Sequence, residues 1–285
     1  MGYMHIDNLY KNIDIMNFKE CYALEKIHGT SAHIGWNHEH QEIRYFSGGE
    51  KHEKFVKLFD HAHLKTRFCQ EFPDVNVVLH GEAYGGKQQG MSETYGKELK
   101  FIVFDVKIGE TWLDVINAED VTKKMGLEFV DYVQIKTDLE LIDAERDKPS
   151  TQAKRNGVVE DKLREGVVLR PLTECTKSNG KRIIVKHKRD EFKETKTKRE
   201  VDPEKLRILK ESKKIAEEWV TPMRLNHVLD KLNNPTEIEQ VRKVISAMIE
   251  DVLREAKGEI VESQMAKSAI AKETARLYKL RISKV

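Results

Sequence analysis

The sequence predicts an α+β fold: an antiparallel-rich domain with interleaved helices over residues 1–200, then a small all-helical domain over residues 201–285. Three observations carry this expectation. Short alternating or apolar runs, bounded by glycine, recur through the first two-thirds of the chain as strands do. Stretches with helical spacing fall between them. Beyond residue 200 the alternation stops, no glycine occurs between residues 202 and 257, and Asp-Pro, Thr-Pro and Asn-Pro pairs punctuate the chain as helix starts do.

Taken in order, Cys21 to Leu24 enters a first strand, Gly29 turns the chain, and Ala32 to Trp36 alternates as a second. Glu42 to Phe46 is a third strand, ended by Gly48-Gly49. Residues 50–66 show helical spacing, with Phe55, Phe59 and Ala62 on one face. Val75 to Leu79 is a buried-type strand running into His80-Gly81-Glu82, and Phe101 to Val106 is another. Gly85-Gly86 to Gly90 lacks the spacing of a phosphate-binding loop and reads as a mobile loop. Asn117 to Met125 is expected to be a short helix capped by Asn117, and Gly166 to Arg170 and Arg182 to Lys186 are the last strands. In the tail, Asp202 caps a helix that Pro203 opens and that runs through Val220, and Thr221-Pro222 starts the next. Asn234-Pro235 opens one that runs to about Lys257, where Gly258 ends it, and residues 259–282 form the last.

The 285 residues are 34% charged and 39% hydrophobic with a net charge of +2, a composition that reads as a charged globular protein able to bury a sizeable core. That total is too mild to mark a nucleic-acid binder, so the local distribution has to decide. From Lys181 to Glu200 nine Lys/Arg face four Asp/Glu, a local excess of five. Cys21, Cys69 and Cys175 are odd in number and widely spaced, which argues against disulfides and structural zinc and for a reducing, cytoplasmic setting. No signal peptide is expected at the amino terminus and no apolar run approaches the ~20 residues that span a membrane. His38, His40, His61 and His63 have no cysteine or acidic partner at ligand spacing, so a zinc site there is not expected.

The most informative stretch is Glu25-Lys26-Ile27-His28-Gly29-Thr30. At neutral pH roughly one lysine in a thousand is unprotonated, so a nucleophilic lysine must recover about 4 kcal/mol from neighbouring cations or desolvation. Lys26 lies between an apolar strand and a glycine, and the basic cluster Lys186-His187-Lys188 lies far downstream. That combination is what a covalent lysyl-nucleotide enzyme requires.

Five elements fall in chain order: the hexapeptide, Gly81-Glu82, Phe101 to Val106, Glu165 to Pro171 with sequence Glu-Gly-Val-Val-Leu-Arg-Pro, and Lys186-His187-Lys188. The order resembles the covalent nucleotidyltransferase superfamily of polynucleotide ligases and RNA capping enzymes, over roughly residues 20–190. Histidine at 28, where DNA ligases and capping enzymes usually carry aspartate, is similar to the RNA ligase 2 family, and the helical tail is similar in kind to that of its phage members. The resemblance implies a nucleotidyltransferase fold and an ATP-dependent RNA ligase. Such an enzyme joins 3′-OH and 5′-phosphate ends through lysyl-AMP and adenylylated RNA, with nicks in duplexes or RNA/DNA hybrids as its expected substrates. It implies Mg²⁺, or Mn²⁺ in its place, and no obligate protein partner is evident.

Under that resemblance Lys26 attacks the α-phosphorus of ATP and His28, two residues on and so on the same strand face, assists the adenylation step. The backbone of Glu25 and Ile27 would read the adenine edge, and Thr30 would position sugar or phosphate. Glu82 suits a ribose hydroxyl, Phe104 would stack on adenine, and Asp105 beside it faces the other way as a turn or structural residue. Glu165 would help bind the metal, and Arg170 on the same strand would face RNA or solvent. Lys186 and Lys188, two residues apart, would neutralise the α-phosphate, and their charge would favour the neutral amine of Lys26. The run from Lys193 to Arg199 reads equally as a solvated linker or a phosphate-tracking surface. One departure stands out: relatives commonly carry an arginine in the hairpin after the nucleophile strands, and Ser47 occupies that place here, with Arg44 and Lys51 nearby.

Two other readings compete. A DNA ligase or GTP-using capping enzyme would add an OB barrel, with about five alternating strands, after residue 200. A catalytically silent RNA-binding module on the same scaffold would explain Ser47 but not the intact lysines and glutamates.

Overall fold

The computed structural model describes residues 2–192 and 200–283. The chain divides into two compact units, Met1–Arg199 and Glu200–Val285. The run from Lys193 to Arg199 lies outside the described residues.

Among the described residues, ten strands and six α-helices build the first unit: β1 Asp7–Asn8, β2 Glu20–Lys26, β3 Thr30–Asn37, β4 Glu42–Ser47, α1 His52–Val56, α2 His61–Glu71, β5 Val77–Gly85, α3 Ser92–Tyr95, β6 Leu99–Ile108, β7 Thr111–Trp112, α4 Val115–Lys124, β8 Tyr132–Lys136, α5 Leu139–Arg146, α6 Thr151–Arg155, β9 Gly166–Pro171 and β10 Val185–Lys188. They form two five-stranded sheets, ordered β1-β10-β9-β2-β8 and β4-β3-β5-β6-β7. Every pairing is antiparallel except β1 with β10. One apolar cluster joins them: Leu24 and Ile27 from the first sheet pack with Ile34, Leu79 and Ile102 from the second and with Val115 and Ala118 of α4. Alternation along β3 produces this directly, since Ala32, Ile34 and Trp36 are buried while Ser31, His33 and Gly35 face the other side.

Beneath the apolar core lies a charged one. Asp105 is fully buried, with Arg170 on one carboxylate oxygen at 3.0 Å and Arg182 on the other at 2.6 Å. The Tyr3 hydroxyl donates to it at 2.6 Å, and Glu174 closes the network by accepting from both arginines. Burial, then the Asp105 charge, pushes the Tyr3 hydroxyl well above the usual tyrosine range. Arg170 is therefore an internal strut, 1% exposed, and does not face RNA or solvent as its sequence position suggested.

Several boundaries depart from expectation for local reasons. The single helix over 50–66 is two, because the Asp60 side chain accepts from the His63 backbone N–H and starts α2 afresh. Asp114 and not Asn117 caps α4: Asn117 sits inside the first turn and donates both its backbone N–H and its amide to Asp114. The last strand is Val185–Lys188, three residues later than Arg182 to Lys186, since Arg182 is drawn into the Asp105 network. The glycine-rich loop is not open: it forms a 3-10 turn, Gln88–Gly90, and α3, whose Tyr95 is buried.

The second unit holds α7 Pro203–Trp219, α8 Pro222–Lys231, α9 Val241–Glu255 and α10 Gln264–Ile282. Asp202 and Thr221 cap α7 and α8 as expected. Asn234-Pro235 does not open a helix; Asn233 and Asn234 take positive φ, a 3-10 turn spans Ile238–Gln240, and α9 starts at Val241. The last helix starts at Gln264, capped by Ser263. Leu225, Val228, Val244, Met248, Val252, Ile270 and Tyr278 form its core. No strand occurs among its described residues, and no described helix is long and apolar enough to cross a membrane.

Replacing Asp105 with alanine is expected to lower stability by about 3–5 kcal/mol, because two buried guanidinium groups lose a common counter-charge. Urea unfolding of the variant, with Arg182→Met and the double variant closing the cycle, measures this; an unchanged midpoint for Asp105→Ala would contradict it.

Candidate active site

Strand register gathers the chemistry. Lys26 pairs with Gly166, and Gly166 pairs with Lys188, so β2, β9 and β10 place Lys26, Gly166 and Lys188 in one row across the sheet. The next row on that face is Leu24, Val168 and Lys186. Gly166 is required at the centre: a Cβ there would lie 2.2 Å from the His187 carbonyl oxygen. The absent side chain lets β10 close against β9 beside Glu165.

The carboxylate of Glu165, 1% exposed, is the meeting point. Its Oε2 accepts from Lys26 Nζ at 2.9 Å and lies 3.1 Å from His28 Nδ1, while Oε1 pairs with Lys188 Nζ at 2.8 Å. Burial alone would raise its pKa, but the His28 hydrogen bond and the Lys26 and Lys188 charges hold it at about 2. β2 ends at Lys26, yet His28 still reaches the same oxygen as Lys26, as the expected shared face required. Two contacts fix that turn. The Tyr95 hydroxyl accepts from the His28 backbone N–H at 3.3 Å, and Glu82 Oε1 accepts from the Gly29 N–H at 3.1 Å. Gly29 admits no side chain, since a Cβ would stand 2.3 Å from the Ala83 carbonyl oxygen. Tyr95 was invisible as a site residue in the sequence, because nothing local connects residue 95 to residue 28.

Beside Lys26 opens a cavity of about 380 Å³. Glu25, Lys26, Ile27, Ser31, Glu82, Phe104 and Lys186 line it, and Tyr3 to Ile6 complete its wall. Tyr3 sets its ring edge-on to Phe104 at 4.9 Å, so the amino-terminal segment buttresses the aromatic face. Thr30 is not brought in. Its side chain packs against Gly48 and Gly49, and Ser31, one residue on, lines the cavity instead. The Glu25 side chain turns away too. Its carboxylate caps α6, accepting from Ser150 Oγ at 2.5 Å and from the Thr151 and Gln152 N–H groups, and its backbone N–H donates to the Asp131 carbonyl at 2.8 Å.

Glu82 stands apart electrostatically from Glu165. Burial pushes its carboxyl up to about 7; the Lys26 charge opposes this and the Glu165 charge adds to it. Side-chain ¹³C NMR should therefore place the Glu82 midpoint at about 7, higher in Lys26→Met and lower in Glu165→Gln. Because the native value exceeds the unfolded one near 4.3, this group stabilises the fold fully below about 4.3, and the contribution is lost as pH rises toward 7. Glu82→Gln should flatten stability across that window, and a wild-type midpoint in the ordinary carboxylate range would refute the assignment.

The family profile described as RNA ligase matches residues 19–188. No curated protein matches the chain. Among solved structures, an arginine-to-alanine mutant of Naegleria gruberi RNA ligase with ATP and Mn aligns at a TM-score of 0.51 and 18% identity, covering 67% of this chain and 57% of that one. An apo lysine-to-alanine mutant of a Naegleria gruberi RNA ligase gives the same figures, TM-score 0.51, 18%, 67% and 57%. A lysine-to-methionine mutant with AMP and Mn aligns at 0.50 and 18%, again over 67% and 57%. The matched part is thus 57% of each of those chains, and at this identity the likeness is one of fold. The profile spans more than half of the 285 residues, from just before β2 to the end of β10, and contains all five motifs that frame the Glu165 cluster; the chain belongs to the RNA ligase family.

Proposed function

We propose that this protein is an ATP-dependent RNA ligase that joins 3′-OH and 5′-phosphate ends, acting at nicks in duplex RNA or RNA/DNA hybrids. The observation that carries the reading is the row Lys26, Gly166 and Lys188, with Glu165 collecting Lys26, His28 and Lys188 at the edge of a nucleotide-sized cavity. In the first step Lys26 Nζ attacks the α-phosphorus of ATP, a phosphoramidate forms, the bond to the β-phosphate oxygen breaks, and pyrophosphate leaves. AMP then passes from Lys26 to an RNA 5′-phosphate, and a 3′-OH displaces it.

The residues divide this work. Phe104 supplies a face for adenine, the backbone at Glu25 and Ile27 its edge contacts, and Glu82 an acceptor for ribose. Lys186 and Lys188 hold the charge that builds on the α-phosphate. Lys26 must leave the Glu165 bond and lose a proton before it can attack, and His28 on the same oxygen can hold Glu165 while it does so.

A divalent cation fits the donor set in one form only. No group of three His, Cys, Asp or Glu is arranged as a cage among the described residues. A hard cation such as Mg²⁺ or Mn²⁺ keeps most of its waters and takes one or two carboxylates. Glu165 offers one, with Glu82 close enough for the two charges to interact. When bound, the cation supplies neutralisation of phosphate charge. An intracellular setting accords with three free cysteines. The helical second unit, with no strand among its described residues, favours this reading over the DNA ligase and capping enzymes that carry an OB barrel.

Incubation with radiolabelled ATP or GTP and Mg²⁺, followed by a denaturing gel, is expected to label the protein from ATP only, and Lys26→Ala should abolish the label. Absence of covalent label from either nucleotide would sink the enzyme reading. Lys188→Ala should slow self-adenylylation by about a hundredfold or more, and full speed would remove its phosphate role. Sealing assays on nicked duplexes, hybrids and single strands should rank single strands last.

A further inference from the structure

Phe46 is the only exposed phenylalanine, tyrosine or tryptophan among the described residues, with 46% of its surface open. It sits on β4 opposite His33 of β3, and the two rings stack at 4.9 Å and 24°. His33 in turn pairs with His80 of β5, whose ring packs on Trp112 at 5.3 Å, so an aromatic band crosses the second sheet and ends at Phe46. A ring backed in this way is held in place while its surface stays open.

The band adjoins the cavity. Ser31, two residues before His33 on the same face, pairs with Glu82, and both line the cavity beside Lys26. The separation along β3 is about 6.6 Å, about the rise of two stacked bases. On the far side of Phe46, Gly35 leaves the face bare: a Cβ there would meet nothing nearer than 3.9 Å. Arg44 follows on the same face of β4, in an exposed pair with Glu42 that a phosphate can displace.

Resting on the ligase reading, we propose that Phe46, backed by His33, is a stacking platform for a nucleobase that frays open beside the nick held at Lys26, with Arg44 taking an adjoining phosphate. Ser31, Glu42 and Arg44 on the same face are exposed and polar, so the ring stands among polar side chains.

The test uses the full chain and a nicked RNA duplex with 2-aminopurine as the terminal base beside the nick. Binding and fluorescence quenching are read together across salt concentrations. Phe46→Leu is expected to weaken binding about tenfold and lose the quench without changing the salt slope, while Phe46→Trp restores both. Arg44→Ala should lower the salt slope by about one. Unchanged binding and quench in Phe46→Leu would leave the ring to a protein partner and overturn the proposal, as would a Phe46→Trp variant as impaired as Phe46→Leu. Self-adenylylation is followed in parallel: its absence in the parent protein overturns the ligase reading, whereas binding and quench alone decide the platform.

Discussion

Glu165 is one carboxylate with three partners, two lysines and a histidine, and the first unit is organised around it. A charge buried that deeply costs several kcal/mol unless it is paired and hydrogen-bonded. Lys26 and His28, two residues apart, and Lys188 from the far end of the unit do the pairing. The pairing demands the β2-β9-β10 register, the missing side chain at Gly166, and the turn at His28–Gly29 held by Tyr95 and Glu82. The two sheets thus hold the reactive groups in a fixed relation before any nucleotide arrives.

A second buried carboxylate, Asp105, does for the cavity wall what Glu165 does for its reactive edge. Arg170 and Arg182 approach it from β9 and from the loop before β10, and Tyr3 from the amino terminus. Tyr3 then braces Phe104. The position of the aromatic face therefore depends on a salt-bridge network that touches no reactive group, and the wall and the row of lysines share β9 and β10 as a common foundation.

Much of this was legible in the sequence because it is periodic or chemically unusual. Alternation located the strands, Asp202 and Thr221 announced their helices, and a lysine before Ile-His-Gly pointed to Glu165, Lys186 and Lys188. Errors clustered where a local signal had two readings. Asn117 and Asp114 are both capping residues, and only the backbone shows which one lies outside the helix. Thr30 and Ser31 differ by one step of a two-residue period, and one step exchanges the cavity for the hairpin. The arginine partners of Asp105 and the contact of Tyr95 with His28 gave no signal, since they lie 65 residues or more apart.

The wall built from Tyr3 to Ile6 and the row that ends at Lys188 enclose the unit from both ends of its sequence. Tyr3 and Arg182 are 179 positions apart, and Lys26 and Glu165 are 139. During synthesis Lys26 emerges early, while Glu165 and Lys188, which complete its surroundings, emerge only as the unit ends. A ribosome-bound fragment therefore carries Lys26 without a site around it. The same long closure makes this domain a slow folder by topology. The cluster of Lys26, Glu165 and Lys188 is completed in one step, with the docking of β10.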